Sequence, residues 1–148
     1  MEKEHKRINE KLQNYWEKLR GKRLYPEESE INPDEIKDIW EDCFLLNIKD
    51  DEIKHGYKYT YLGNNLIEAF GGDITFDGIT NHLLDTSYNP LIKSFESVSK
   101  NGIPIIDSSE FKNKNNMLIK YRSCIFPLGD SKNNNINFLI GAMKWKAF

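Results

Sequence analysis

Ile8, Leu12, Tyr15, Trp16 and Leu19 recur in steps of three and four, and Gly21 follows the last of them. That spacing places them on one stripe of an amphipathic helix. The stripe has to cover something, either the rest of the domain or the same helix of a second copy, and the pattern leaves both open.

Past the helix, Pro26 halts helical structure and Asn32 restarts it as an N-cap, with Pro33 in the first helical position and acids in the first turn. A short helix to about Trp40 is expected. "CFLLNI" then reads as a buried strand, Asp50 and Asp51 as a turn, and Tyr57 to Leu62 as a second strand of a hairpin. "NNLIEAFGGD" predicts a short helix carrying Leu66, Ile67 and Phe70, closed by Gly71 and Gly72. After a broken stretch, "PLIKSFESVSKNG" predicts a helix with Leu91, Ile92, Phe95 and Val98 on one side and Gly102 at its end.

The remainder alternates as strands do. "IPIIDSSEF", "NMLIKYRSCIFPL" and "INFLIGAMKW" are separated by the polar turns "KNKN" and "GDSKNNN". Two strands, a helical middle and three antiparallel strands predict an α+β fold. It is one five-stranded antiparallel sheet with helices on one face and an extra N-terminal amphipathic helix. The helix occupies residues 1–24 of this scheme and the sheet domain residues 25–148.

Composition narrows the class. With 148 residues, 39% of them hydrophobic and 30% charged, the chain suits one globular domain with a core of its own. No apolar run approaches a membrane span, and the first residues lack the apolar core of a signal peptide, so the expected location is cytoplasmic. Cys43 and Cys124 each sit inside an apolar run and are expected to be free, buried thiols. The net charge of -2 conceals a basic segment up to Arg23, followed by an acidic one from Glu27 to Glu52. Four glutamates interleave the basic segment, so a solvated helix is expected there and nucleic-acid binding is the weaker alternative.

Several stretches carry a family pattern. "YWEKLRGKRLYPEESEINPDEI" (15–36), "FLLNI" (44–48), "YKYTYLGNNLIEAFGGDIT" (57–75) and "YRSCIFPLGD" (121–130) resemble a bacterial single-domain PAS family, whose element order is the one derived above. The resemblance implies a cup between sheet and middle helices. Such a cup holds a small ligand or cofactor, or the domain serves as a docking and dimerisation surface.

Tyr57, Tyr59 and Tyr61 sharpen the question, because period-two spacing on a strand would send all three rings to one face. An RNA-reading strand is not supported, since His55, Lys58, Thr60 and Leu62 fail its basic, small, apolar and aromatic positions. The rings are expected either to line the cup or to pack against a helix. A haem would need an axial ligand, for which His82 is the candidate, although a satisfied or exposed histidine is the plainer reading. A PAS-type photoreactive flavin site needs a cysteine in a helix beside the cup, and both cysteines lie in strands. No haem or flavin signature is found. No metal site and no catalytic motif is present either; Asp73, Asp77 and Asp85 are read as turn and capping residues.

Two sets of candidates result. The cup lining is expected from Tyr59, Tyr61, Leu66, Phe70, Phe95 and Tyr121, with Ser123 as a polar contact and Arg122 as a rim anchor. A homodimer interface is expected from Ile8, Leu12, Tyr15, Trp16 and Leu19. The partners implied are a second copy, a signalling protein and a small apolar or amphipathic ligand. Strand parity decides the first set, because a one-residue slip exchanges the two faces.

Overall fold

The structure, a computed structural model, describes residues 2–49, 57–72, 90–130 and 132–148, with side chains from residue 7 onward. Helix α1 (Glu2–Arg20) precedes strands β1 (Cys43–Asn47) and β2 (Lys58–Leu62). Helices α2 (Asn64–Ala69) and α3 (Ile92–Asn101) follow, then β3 (Ile105–Lys112), β4 (Leu118–Gly129) and β5 (Ile136–Ala147). The five strands form one antiparallel sheet in the order β2-β1-β5-β4-β3. The turn expected at Asp50 and Asp51, and the residues Asp73, Asp77, Asp85, His5, His55 and His82, lie outside the described side chains.

Strand β5 explains its own apolar sequence, because it lies between β1 and β4 and is covered on both faces. Leu139 and Met143 point into one layer and Ile140 and Ala142 into the other. The inner layer joins Phe44, Leu46, Tyr59 and Ile125 of the sheet to Leu66, Phe70, Ile92, Phe95 and Val98 of α2, α3 and the turn after α2. The outer layer joins Cys43, Leu45, Cys124 and Phe126 to Ile8, Leu12, Tyr15 and Trp16 of α1. Helices α2 and α3 thus take one face, as expected, and α1 takes the other.

This placement settles what the α1 stripe covers. Leu12 is fully buried and Ile8, Tyr15 and Trp16 nearly so, all within their own chain. At about 1.5 to 3 kcal/mol per large side chain, that burial is a substantial part of a domain's stability. The proposed dimer interface through Ile8, Leu12, Tyr15, Trp16 and Leu19 is therefore corrected: these side chains are spent on the sheet, and a second copy could reach them only if α1 lifted off.

Local chemistry accounts for the joints. Pro127 sits within β4 but beyond Ile125, the last residue there with a partner on β3, so on that side no ladder bond is lost to its missing N–H. Its carbonyl accepts from the Trp16 indole at 2.8 Å, which pins α1 to the sheet. Gly102 closes α3 in the left-handed region at φ 69°, its N–H donating to Val98. Gly141 faces Phe44 across the ladder, and a Cβ there would fall 2.3 Å from the Phe44 ring.

Two expectations fail. The helix predicted from Pro33 to Trp40 is instead a pair of 3-10 turns, Pro33–Ile36 and Trp40–Asp42. Asn32 does cap the first, accepting from the Asp34 N–H at 3.1 Å. The buried apolar anchors, Ile36 and Ile39, are three residues apart, which is the repeat of a 3-10 turn and gives a longer α-helix no face to bury. The second failure concerns β2, where Leu46 pairs with Tyr59 but Leu45 pairs with Tyr61. Thr60 is the extra residue of a β-bulge, so the alternation breaks there.

The candidate cup and its outer counterpart

The bulge sorts the tyrosines. Tyr57 and Tyr59 join the inner layer while Tyr61 joins the outer one. Tyr61 stacks on Trp40 and donates its hydroxyl to the Trp40 carbonyl at 2.8 Å. It is therefore removed from the cup lining.

On the inner face Phe95 of α3 is the centre. Tyr57 meets it edge-on at 5.9 Å, Tyr59 at 6.3 Å and Phe44 lies 5.5 Å away, so three sheet rings converge on one helical ring. A second group stands toward the β3 edge, where Phe111 lies between Phe70 at 5.5 Å and Tyr121 at 5.9 Å. Leu66 is buried in the same layer. Tyr59, Leu66, Phe70, Phe95 and Tyr121 thus share one buried layer on this face.

Polar groups gather at the β3 end of that face. Directly opposite residues share a face, and the ladder pairs Asp107 with Ser123 and Ser109 with Tyr121. Ser123 is almost fully buried. Burial raises the Tyr121 phenol above its ordinary value, the Ser109 hydroxyl lowers it and the Asp107 carboxylate raises it again. At the other end, burial likewise raises Tyr57, with Glu96 adding to the effect and Ser99 opposing it. The phenols therefore stay neutral donors near pH 7. Arg122 does not belong here. It alternates with Tyr121 and Ser123, pairs across the ladder with Lys144, and so stands on the outer face.

Tyr57, Asp107, Ser109 and Phe111 belong to this face and are missing from the sequence-derived lining. Tyr57 was legible in the tyrosine alternation. The β3 stretch "IIDSSEFK" has no apolar–polar alternation, and the hairpin register that sets its residues opposite Tyr121 and Ser123 depends on the turn at Asn113, which period-two reading does not supply.

The outer layer holds both thiols. Cys43 and Cys124 flank Ala142 in one row across β1, β5 and β4, buried beneath α1. Burial holds the Cys124 thiol up at about 12 and raises Cys43 well above its usual value, with Cys124 and Asp42 adding to the second shift. No thiol of the chain faces the cup, so its residues do not fit a flavin-cysteinyl site there.

Among the described residues no group of three or more His, Cys, Asp or Glu could hold a metal ion, and no helix is long and apolar enough to cross a membrane. Two basic side chains of α1 are engaged: Lys11 pairs with Asp38 and Arg20 lies over the Trp16 ring. Just beyond the helix, Arg23 forks onto Glu30 at 2.7 and 2.9 Å.

A family model described as PAS domain matches residues 4–144. No curated protein matches. Among solved structures, a light-oxygen-voltage domain whose mechanism was studied with a flavin analogue is 10% identical with a TM-score of 0.55, over 75% of this chain and 81% of that one. The photoreceptor Aureochrome1 LOV gives 0.53 in its dark structure, at 11% identity over 74% and 78% of the two chains. Its light-state structure gives 0.52, at 12% identity over 74% and 84%. At these identities the likeness is one of fold.

Proposed function

The chain belongs to the PAS domain family, and from this we propose that it is a cytosolic sensory domain, without catalysis of its own, whose inner face takes a small amphipathic ligand. One observation carries the reading. A floor of rings around Phe95 and Phe111 ends in a polar corner of Tyr121, Ser109, Ser123 and Asp107, so one face offers apolar area and directed hydrogen bonds together. The apolar body of the ligand lies on the rings and its polar end reaches the Tyr121 hydroxyl.

Signalling then needs the bound form to favour one arrangement of the domain over another. Helix α2 is the natural transmitter. The Asn65 side chain donates to the buried Asp42 carboxylate at 2.8 Å, and the Asn65 carbonyl accepts from the Trp145 indole at 2.8 Å. A ligand that moves α2 pulls on the 3-10 turn and on β5 at once.

Native mass spectrometry of freshly purified protein, beside a denatured control, tests this reading. A surplus mass that disappears on denaturation, and that is lost in Phe70→Ala but kept in Tyr61→Phe, is the expected result. Bare protein masses in every preparation would overturn it. A second reading, a ligand-free interaction module, would then stand; the close edge-on packing of Tyr57 and Tyr59 on Phe95 favours it, because those rings already satisfy one another.

A further inference from the structure

The two faces of the sheet differ in charge. Lys120, Arg122, Lys144 and Lys146 of β4 and β5 all alternate away from the inner layer, as do Glu110 and Lys112 of β3. Among the described strand residues that face the inner layer, Asp107 alone carries a formal charge. Its carboxylate accepts from the Ser108 N–H at 2.8 Å, and among the described residues no cation pairs with it. The polar corner of the cup is therefore negative.

Ser123 stands directly opposite Asp107 on the ladder, which sets their Cβ atoms about 5 Å apart. Ser123 is 2% exposed, yet its hydroxyl makes no hydrogen bond among the described residues. A buried hydroxyl without a partner costs free energy, and a bound hydrogen-bonding group removes that cost. Asp107 and Ser109 are exposed although they occupy inner positions, and β3 is the end strand of the sheet, so the corner opens along that edge. Phe111 beside them is only half-buried, its ring 5.9 Å from Tyr121 and 5.5 Å from Phe70.

We propose that this corner selects a ligand whose polar end is a protonated amine carried on an apolar body. The inference rests on the cup reading above and adds the charge of the ligand. An ammonium group has three N–H donors and no acceptor, which suits an acceptor-only carboxylate flanked by hydroxyls. One donor meets the Asp107 carboxylate, one the Ser123 hydroxyl and one the Tyr121 hydroxyl. The ring faces of Phe111 and Tyr121 attract the same positive charge. A carboxylate or phosphate end would meet Asp107 as a like charge and be rejected, and a neutral hydroxyl would leave Asp107 without a counter-ion. The apolar body lies on Phe111 and Phe70.

The test is isothermal titration calorimetry of the full chain with three probes of one apolar body: naphthylethylamine, naphthylethanol and naphthylacetate. The amine should bind about tenfold more tightly than the alcohol, the factor that one exposed ion pair and one ring contact support together, and the acetate most weakly. Asp107→Asn keeps an oxygen for the Ser108 N–H and removes the charge, so it should bring the ratio of amine to alcohol affinity close to one. Ser123→Ala should weaken the amine while its thermal midpoint equals or exceeds the parent's, which separates a lost ligand contact from lost folding. Equal affinities, preference for the acetate, an amine preference that survives Asp107→Asn, or a lowered midpoint in Ser123→Ala would each overturn the proposal and leave the cup reading standing, as would a copurified molecule without a basic nitrogen. Failure of all three probes would overturn it as well, and bare masses in native mass spectrometry would then remove the cup reading with it.

Discussion

The Trp40 indole lies flat on the Tyr61 ring, centroids 4.1 Å apart and planes 10° from parallel, and the Tyr61 hydroxyl donates to the Trp40 carbonyl at 2.8 Å. The pair clamps the 3-10 turn Trp40–Asp42 onto β2. Tyr61→Phe should cost about 1 kcal/mol for the hydrogen bond, and Tyr61→Ala about 1 kcal/mol more for the stack, measured by denaturant unfolding. The phenol is pushed up to about 12 by burial first and then by Cys43, Glu41 and Asp42. Its proton is kept in the folded state where an unfolded tyrosine releases it near pH 10, so this contribution is intact below about pH 10 and is lost as pH rises toward 12. Tyr61→Phe should accordingly flatten the alkaline limb of the stability profile.

Leu12 is completely buried against the sheet. Leu12→Asp places an unpaired carboxylate there, and the expected loss is more than about 4 kcal/mol. Far-UV circular dichroism should report unfolding or a sharply lowered midpoint. A folded, soluble monomer of unchanged stability would mean that α1 does not lie on the sheet.

Asn113 turns the β3–β4 hairpin and ties it to α2. Its side-chain oxygen accepts from the Asn115 and Met117 N–H groups at 2.9 and 3.0 Å in half-buried bonds, and its side-chain amide donates to the Ala69 carbonyl at 3.0 Å in a buried one. Asn113→Ala should cost about 2 to 3 kcal/mol, because it leaves buried partners unsatisfied. Asn113→Asp keeps the two accepted bonds but sets a carboxylate oxygen against the buried Ala69 carbonyl, so it should cost at least as much as Asn113→Ala near pH 7; parent-like stability of both variants in unfolding experiments would deny Asn113 its role as a tie.

Glu30 is held below the usual carboxylate range, chiefly by the Arg23 guanidinium and also by the Glu27 N–H. Lowering a carboxyl in the folded state adds stability above its unfolded value of about 4.3, and that gain is lost as pH falls through the lowered value. Both side chains are about one-third exposed, so solvent limits the gain to about 0.5 to 1 kcal/mol. Glu30→Gln should show that deficit at pH 7 and none in strong acid, measured by urea titrations across pH.

Much of this architecture was legible because burial leaves periodic traces. The α1 stripe, the Gly102 cap and the two-faced apolar run of β5 each follow from spacing and residue type. What escaped involves contacts between distant segments. Nothing local to Thr60 announces its bulge, yet that residue moves Tyr61 from the cup to the outer layer. The partner of the α1 stripe was equally silent, since Ile8 and Leu12 look the same whether they meet a sheet or a second helix. Arg122 was misplaced by parity alone, being adjacent to Tyr121 and Ser123, which do face the cup.

The row Cys43, Ala142, Cys124 carries a further consequence. Two ladder spacings hold the cysteine Cα atoms about 9.6 Å apart, beyond the roughly 7 Å that a disulfide can bridge without moving backbone. Oxidants therefore find no cross-link to make between these strands. The two thiols thus stay apart within one folded chain, held by the sheet on either side of Ala142.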